Sequence, residues 1–209
     1  MRPPKVYLQV LLAAWLAPGS FFTFCQAGHS TAREQEHGVR SQSPILQLRS
    51  GSHVALFFSR KAYFSAGGQP LTVEFLDTKG VMPRTLVEVK AGSLYASRKA
   101  LYENLWPGVR LRFSLNSKGS CEATYLVDAG GDASQIRLHF DVPVKLQANG
   151  TLLLQFAGHP VTESSPEAWQ DIDGVRVPVE VAFRVNGGEV GFLVGPYNAH
   201  HPLTIDPGF

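Results

Sequence analysis

The run "VRVPVEVAFRV" constrains the fold of this chain more than any other segment. Every odd-numbered position from 175 to 185 is apolar, while most of the even-numbered positions hold an arginine, a glutamate or a proline. Successive side chains of a strand point to opposite faces, so this pattern predicts a strand with one face in a core and one in water. Pro178 has no N–H to donate to a neighbouring strand, which places it at a sheet edge or a bulge.

The same period of two recurs along the chain. It is clearest in "VRLRFSL" at residues 109–115 and in "IRLHFD" at residues 136–141. Shorter apolar runs predict further strands at 45–48, 54–59, 71–76 and 123–127. Asparagine–glycine and aspartate–glycine pairs favour tight hairpin turns, and we expect such turns at 148–150, 173–174 and 186–188.

Many short strands, separated by turns about every ten residues, are typical of an all-β fold. We therefore expect an antiparallel β-sandwich-like domain with two packed sheets. At most one short helix is expected, around residues 98–104, ended by Pro107 and Gly108.

The amino terminus has the three parts of a secretory signal peptide. Arg2 and Lys5 precede a short apolar run, and small residues near Ala27 suit a signal peptidase. We expect a signal peptide at residues 1–27, a polar flexible leader at 28–42 and a single β-rich domain at 43–209. This organisation predicts a secreted protein, extracellular or periplasmic, with no membrane span once the signal is cleaved.

Charge and cysteine content exclude several classes of function. Loss of the signal removes two basic residues and leaves 17 basic against 17 acidic side chains, so nothing attracts nucleic acid. Cys121 would then be the only cysteine, so no internal disulfide is expected. We expect Cys121 to be a small strand residue that faces the core.

Several ordered segments resemble a known family. Their order resembles that of the β-rich N-terminal domain of bacterial secreted proteins that carry SBBP-type β-propeller repeats. The segments are "LYENLWPGVRLRF", "EATYLVDAGGDASQIRLHFD" and "YNAHHPLTIDP". The resemblance spans roughly residues 50–207 and is strongest after residue 101. It implies a β-rich fold and a final strand in which Leu203 and Ile205 face inward. The resemblance implies no catalytic residue.

Two aspartates around a glycine pair, Asp128 and Asp132 in "DAGGD", are the weak candidates for a metal site or for the acid and base of a hydrolase. The resemblance makes this segment a turn, which we favour. His200 and His201 are consecutive, and Pro202 extends the backbone there, so both imidazoles would not reach one ion. We therefore expect no catalytic residues, no metal and no cofactor.

Aromatic residues suggest an alternative. Trp106, Trp169 and Tyr197 are candidates for stacking on sugar rings, and the last two are expected in connections between strands. The sequence thus predicts a non-catalytic secreted module with a structural, adhesive or interaction role. The alternative is a carbohydrate- or peptidoglycan-binding module, and a hydrolase is the third. The expected partner is a cell-surface protein or glycan.

Overall fold

A computed structural model describes residues 43–50, 53–66, 69–89, 96–115, 121–156 and 160–207. The signal peptide predicted at 1–27 and the leader at 28–42 lie outside these residues. The described chain is all-β, and two large antiparallel sheets pack against each other beside a third, small sheet. The fold class predicted from the sequence is confirmed.

Strands are numbered in chain order. Sheet I has the order β1-β2-β3-β4-β9-β16-β15 and contains Leu46–Ser50, His53–Phe57, Lys61–Ala66, Gln69–Phe75, Leu138–Phe140, Glu189–Val194 and Val181–Asn186. Sheet II has the order β14-β13-β17-β8-β7-β6-β5 and contains Val175–Val179, Glu167–Ile172, Leu203–Asp206, Cys121–Val127, Val109–Leu115, Ala96–Trp106 and Arg84–Val89. Sheet III consists of β10, β11 and β12, at Val144–Leu146, Leu152–Leu154 and Val161–Glu163.

The core lies between the inner faces of sheets I and II. Aromatic rings from opposite sheets meet there: Phe75 of β4 lies edge-on to Tyr102 of β6 with ring centroids 5.2 Å apart. Tyr125 of β8 lies edge-on to Phe192 of β16 at the same distance. Edge-to-face contacts of this kind add to the apolar burial that holds the sheets together.

The long alternating run of residues 175–185 divides between the two sheets. Val175–Val179 form β14, the edge of sheet II, and Val181–Asn186 form β15, the edge of sheet I. The chain crosses at Glu180, whose carbonyl accepts a hydrogen bond from the Gly195 amide at 2.8 Å. The prediction of one continuous strand is wrong, because the alternation is kept while the partner sheet changes. Pro178 lies in an edge strand, as predicted.

The helix expected around residues 98–104 is also wrong. These residues belong to β6, which pairs with β5 and β7 and shifts register between Tyr102 and Trp106. Ala100, Leu101 and Tyr102 are all buried, and pairing with a strand on each side prevails over helix propensity here. In the described ranges, the helical structure is one 3₁₀ turn, Ala133–Gln135, and no helix there has the length and apolar character needed to cross a membrane.

The predicted hairpin turns are confirmed. Asp173 and Gly174 join β13 to β14 with positive φ angles of 50° and 78°, which suit an aspartate–glycine pair in a two-residue hairpin. Gly187 and Gly188 join β15 to β16, and the turn at 148–150 joins β10 to β11. These turns fix the registers that decide which side chains reach the core.

Candidate functional site

The loop that carries the two histidines is built around one buried side chain, Gln170 of β13. Its Nε2 donates to the carbonyl oxygens of Asn198 and His201 at 2.8 and 2.9 Å, and its Oε1 accepts from the Asn198 amide at 2.9 Å. Gln170 is only 2% exposed, so it satisfies loop backbone groups that water cannot reach. Gln170 therefore has a structural role, because it holds the loop in place.

The two histidines themselves lie in the turn before β17, as the sequence predicts. His200 is exposed, and its amide donates to the Asn198 side chain at 2.9 Å. His201 is half-buried, and its amide donates to the Asn198 carbonyl. No group of three or more His, Cys, Asp or Glu side chains suited to a metal ion occurs among the described residues.

Asp128 and Asp132 lie in the connection between β8 and the 3₁₀ turn. Asp128 accepts from Arg110, with a distance of 2.7 Å between its Oδ1 and the arginine Nη2. Asp132 caps the 3₁₀ turn, because its carboxylate accepts from both the amide and the hydroxyl of Ser134 at 2.8 Å. Each carboxylate thus has its own local partner.

Trp106, one of the three predicted sugar-stacking residues, is in the core. Its side chain is 1% exposed, and its Nε1 donates to the Leu76 carbonyl at 2.8 Å. Tyr102 on the same strand is fully buried, and its hydroxyl donates to the Phe58 carbonyl at 2.8 Å. Burial raises the pKa of Tyr102 well above its usual value. Neither ring presents a face at the surface.

The structure does not bring Trp169 and Tyr197 onto one face. Trp169 was expected in a connection between strands, but it lies within β13. Its neighbours Ala168 and Gln170 are buried, so the Trp169 side chain points away from the core. The Arg176 guanidinium stacks over its ring at 4.2 Å. Tyr197 does lie in a connection, packs against the core, and donates from its hydroxyl to the Gly131 carbonyl at 3.3 Å.

Glu163, at the end of β12, is a buried carboxyl group that the sequence analysis missed. It is 2% exposed, and its Oε2 has no hydrogen-bond partner in the described part of the chain. Burial raises its pKa to about 8, and its proximity adds to the rise in the pKa of the buried Tyr125. Strand alternation could have indicated that Glu163 is buried, because it lies on the same face of β12 as the apolar Val161.

Cys121 begins β8, packs against the core from a half-buried position and has no disulfide partner. Burial, reinforced by the nearby Glu122 carboxylate, raises the pKa of its thiol. A thiol with a raised pKa is a poor nucleophile, because the reactive form is the thiolate. The placement agrees with the predicted strand position facing the core.

The hairpin of β13 and β14 leaves apolar side chains in water. Val175 and Val177 are 62% and 39% exposed, although alternation puts them on the inner face of sheet II with the buried Val179. Sheet I does not cover this corner. The opposite face of the hairpin carries the stacked Trp169 and Arg176, so both faces of the tip are accessible to a ligand.

Comparison with known protein families gives a match over much of the described chain. Residues 88–208, more than half of the chain, match a family described as "Domain of unknown function (DUF7948)". No curated protein and no solved structure shows a significant similarity. The matched range runs from the end of β5 through β17 and includes Gln170, the histidine loop and the exposed hairpin. The chain belongs to the DUF7948 family.

Proposed function

We propose that this chain is a secreted, non-catalytic β-sandwich module that binds a protein partner at the cell surface. The observation that carries the proposal is the exposed pair Val175 and Val177 on the uncovered inner face of β14. Single exposed apolar residues are normal, but neighbours on one face of an edge strand form a patch. Such a patch gains free energy when a partner removes it from water.

The chemistry of this patch favours a protein over a glycan. Valine side chains have no donor or acceptor for sugar hydroxyls and no flat ring for stacking. Pro178 also limits strand addition along this edge, because it has no N–H to offer. We therefore expect a partner that packs apolar side chains against Val175 and Val177.

A non-catalytic role is supported by the polar candidates, each of which serves the fold. Asp128 is paired with Arg110, Asp132 caps the 3₁₀ turn, and Gln170 holds the histidine loop. A hydrolase would need carboxylates that converge on one substrate. The resemblance to modules that precede SBBP-type β-propeller repeats points to the same structural or adhesive role and to export by the predicted signal peptide.

The test measures retention of the labelled domain on envelope preparations of the producing cells. We expect Val175→Ser/Val177→Ser to lower retention at least several-fold and Leu193→Ser to leave it unchanged. Leu193 is the matched control, because it is 56% exposed and lies on β16 of the other sheet. Protease treatment of the envelopes should abolish binding, while periodate oxidation of their glycans should not. The proposal would be overturned if the valine changes left retention on the envelopes unaltered.

Trp169 supports a glycan-binding module as a second candidate, because it is a partly exposed ring on the outer face of sheet II. Arg176 would have to leave the ring before a sugar could stack there. A shift in tryptophan fluorescence on titration with cell-wall glycans, lost in Trp169→Ala, would support this candidate. Binding lost after periodate oxidation and kept after protease treatment would do the same.

A further inference from the structure

A shallow cleft of about 310 Å³ lies on the outer face of sheet I, at the edge formed by β15 and β16. Its lining consists of Arg137, Arg184, Asn186, Glu189, Val190 and Gly191. It is separate from the β13–β14 hairpin, which belongs to sheet II. We propose that this cleft binds the carboxylate of an acidic side chain on a protein ligand, with Arg184 as the principal contact.

Arg137 is one wall of the cleft and is held in place by two carboxylates. Its Nε and Nη2 donate to Glu189 Oε2 at 3.0 and 2.5 Å, and its Nη1 donates to Asp77. These contacts raise the pKa of Arg137. Glu189 is therefore already paired with Arg137, and the remaining N–H groups of Arg137 point in a fixed direction.

Arg184 is the opposite wall and has no hydrogen-bond or ion-pair partner among the described residues. It is half-buried and stands beside Gly191 on the neighbouring strand. A guanidinium carries five donors in a fixed fork that matches a carboxylate in two parallel hydrogen bonds. A half-buried guanidinium without an internal partner is therefore ready to accept an external one.

Gly191 keeps the floor of the cleft open. A Cβ atom at this position would lie 2.7 Å from the Ile136 carbonyl oxygen and 3.3 Å from Arg184 Nη2. A Cβ atom would collide with this backbone carbonyl and push the arginine aside by a few tenths of an ångström. The absent side chain thus lets the Arg184 guanidinium lie directly against the β16 backbone at the floor of the cleft.

The local charges and the lining together define the ligand. Arg137 and Arg184 are balanced by Asp77 and Glu189, so the group is neutral as a whole, and a single negative charge fits better than a phosphate dianion. The lining has no aromatic ring, which sugar sites commonly use. These features favour an aspartate or glutamate side chain over an acidic glycan.

The test is an NMR titration of the ¹⁵N-labelled domain with the blocked peptide acetyl-Gly-Glu-Gly-amide. We expect saturable shifts at the Gly191 amide and the Arg184 Nε–H, and no shift with the glutamine version of the peptide. Arg184→Gln should weaken binding about tenfold or more, since one charge-assisted contact is worth about 1.5 kcal/mol or more. Arg184→Lys, which keeps the charge but loses the fork, should give intermediate binding.

Arg176→Gln is the matched control, because it removes the same charge from sheet II, and it should bind the peptide like the unchanged protein. Equal losses in Arg176→Gln and Arg184→Gln would mean general charge attraction and overturn the proposal, as would equal shifts with the glutamine peptide. Tighter binding of methyl galacturonoside than of the glutamate peptide would assign the cleft to acidic glycans instead. Val175→Ser/Val177→Ser should leave the titration unchanged, so the cleft and the hairpin can fail separately.

Discussion

Gln170 and Asn198 are joined by two hydrogen bonds in opposite directions, as two strand residues would be. The Asn198 amide donates to Gln170 Oε1 at 2.9 Å, and Gln170 Nε2 donates to the Asn198 carbonyl at 2.8 Å. A side-chain amide thus supplements the backbone hydrogen bonds of this loop, one of which joins the Ala199 carbonyl to the Gly130 amide at 2.8 Å. The relationship fixes the shape of the loop that carries His200 and His201.

Gln170→Ala should destabilise the domain by about 2 to 3 kcal/mol, because it leaves buried backbone groups of the loop without partners. For a domain of this size the melting temperature should fall by about 2 to 4 °C per kcal/mol. Gln135→Ala is the control, since the Gln135 side chain makes only 3.4 Å contacts and should have little effect. Equal melting temperatures for the two variants, measured by circular dichroism, would contradict the role assigned to Gln170.

Glu163→Gln should make the domain more stable, and the gain should grow as the pH rises. The folded-state pKa of Glu163 is about 8 against an ordinary value of 4.5, so between these values the unfolded chain releases a proton that the folded chain retains. The stability of the unchanged protein therefore falls as pH rises through this window. At pH 8 the gain should be on the order of a few kcal/mol.

The measurement for Glu163 is urea unfolding at a series of pH values from 4.5 to 8.5. Glu74→Gln is the control, because Glu74 is exposed on β4 and its removal should give no growing gain. A gain for Glu163→Gln of the same size at every pH would show that the carboxyl is not desolvated in the folded state.

Much of this fold follows from the period of two alone. Val109, Leu111 and Phe113 of β7 are all buried, as the alternation of that segment predicts. Sheet membership does not follow, because Val179 and Val181 continue one pattern while their strands join different sheets. Alternation records which side of a strand faces the core, and both sheets face the same core.

The residues of the candidate sites were harder to predict for a related reason. Trp106 and Trp169 have similar chemistry, but only the register of β6 and β13 decides that one is buried and the other partly exposed. Arg137 and Arg184 are far apart in sequence, and they line one cleft because β16 lies in sheet I between β9, which Arg137 precedes, and β15, which carries Arg184. Such long-range pairing leaves no local signal in either segment.

Tyr102→Phe should destabilise the domain by about 1 to 2 kcal/mol, because the Phe58 carbonyl loses the donor that it has in the core. The ring and its packing against Phe75 are kept, so the change isolates one buried hydrogen bond. Tyr63→Phe on the neighbouring sheet is the control, since Tyr63 is half-buried and should lose almost nothing. Denaturant unfolding of both variants measures the difference, and equal losses would contradict the assignment.

Pro178→Thr should promote self-association through the edge of sheet II. In the two-residue hairpin, Ile172 and Val175 form the closing pair, and paired positions alternate between hydrogen-bonded and non-hydrogen-bonded from there. Trp169 and Pro178 are therefore a non-hydrogen-bonded pair, so the backbone of residue 178 points outward. A threonine there would add an outward N–H beside the exposed Val175 and Val177, and exposed edge strands with free donors pair with other chains.

Sedimentation velocity over a range of concentrations checks this prediction. Pro178→Thr should sediment as a larger species at concentrations where the unchanged protein does not. Val177→Thr is the matched control, because the backbone of residue 177 is already bonded to Gln170 and the change adds no outward donor. If Val177→Thr associates as strongly as Pro178→Thr, then threonine itself and not the restored N–H is responsible. If Pro178→Thr associates and Val177→Thr does not, then Pro178 prevents self-association at this apolar edge and leaves it available to a partner.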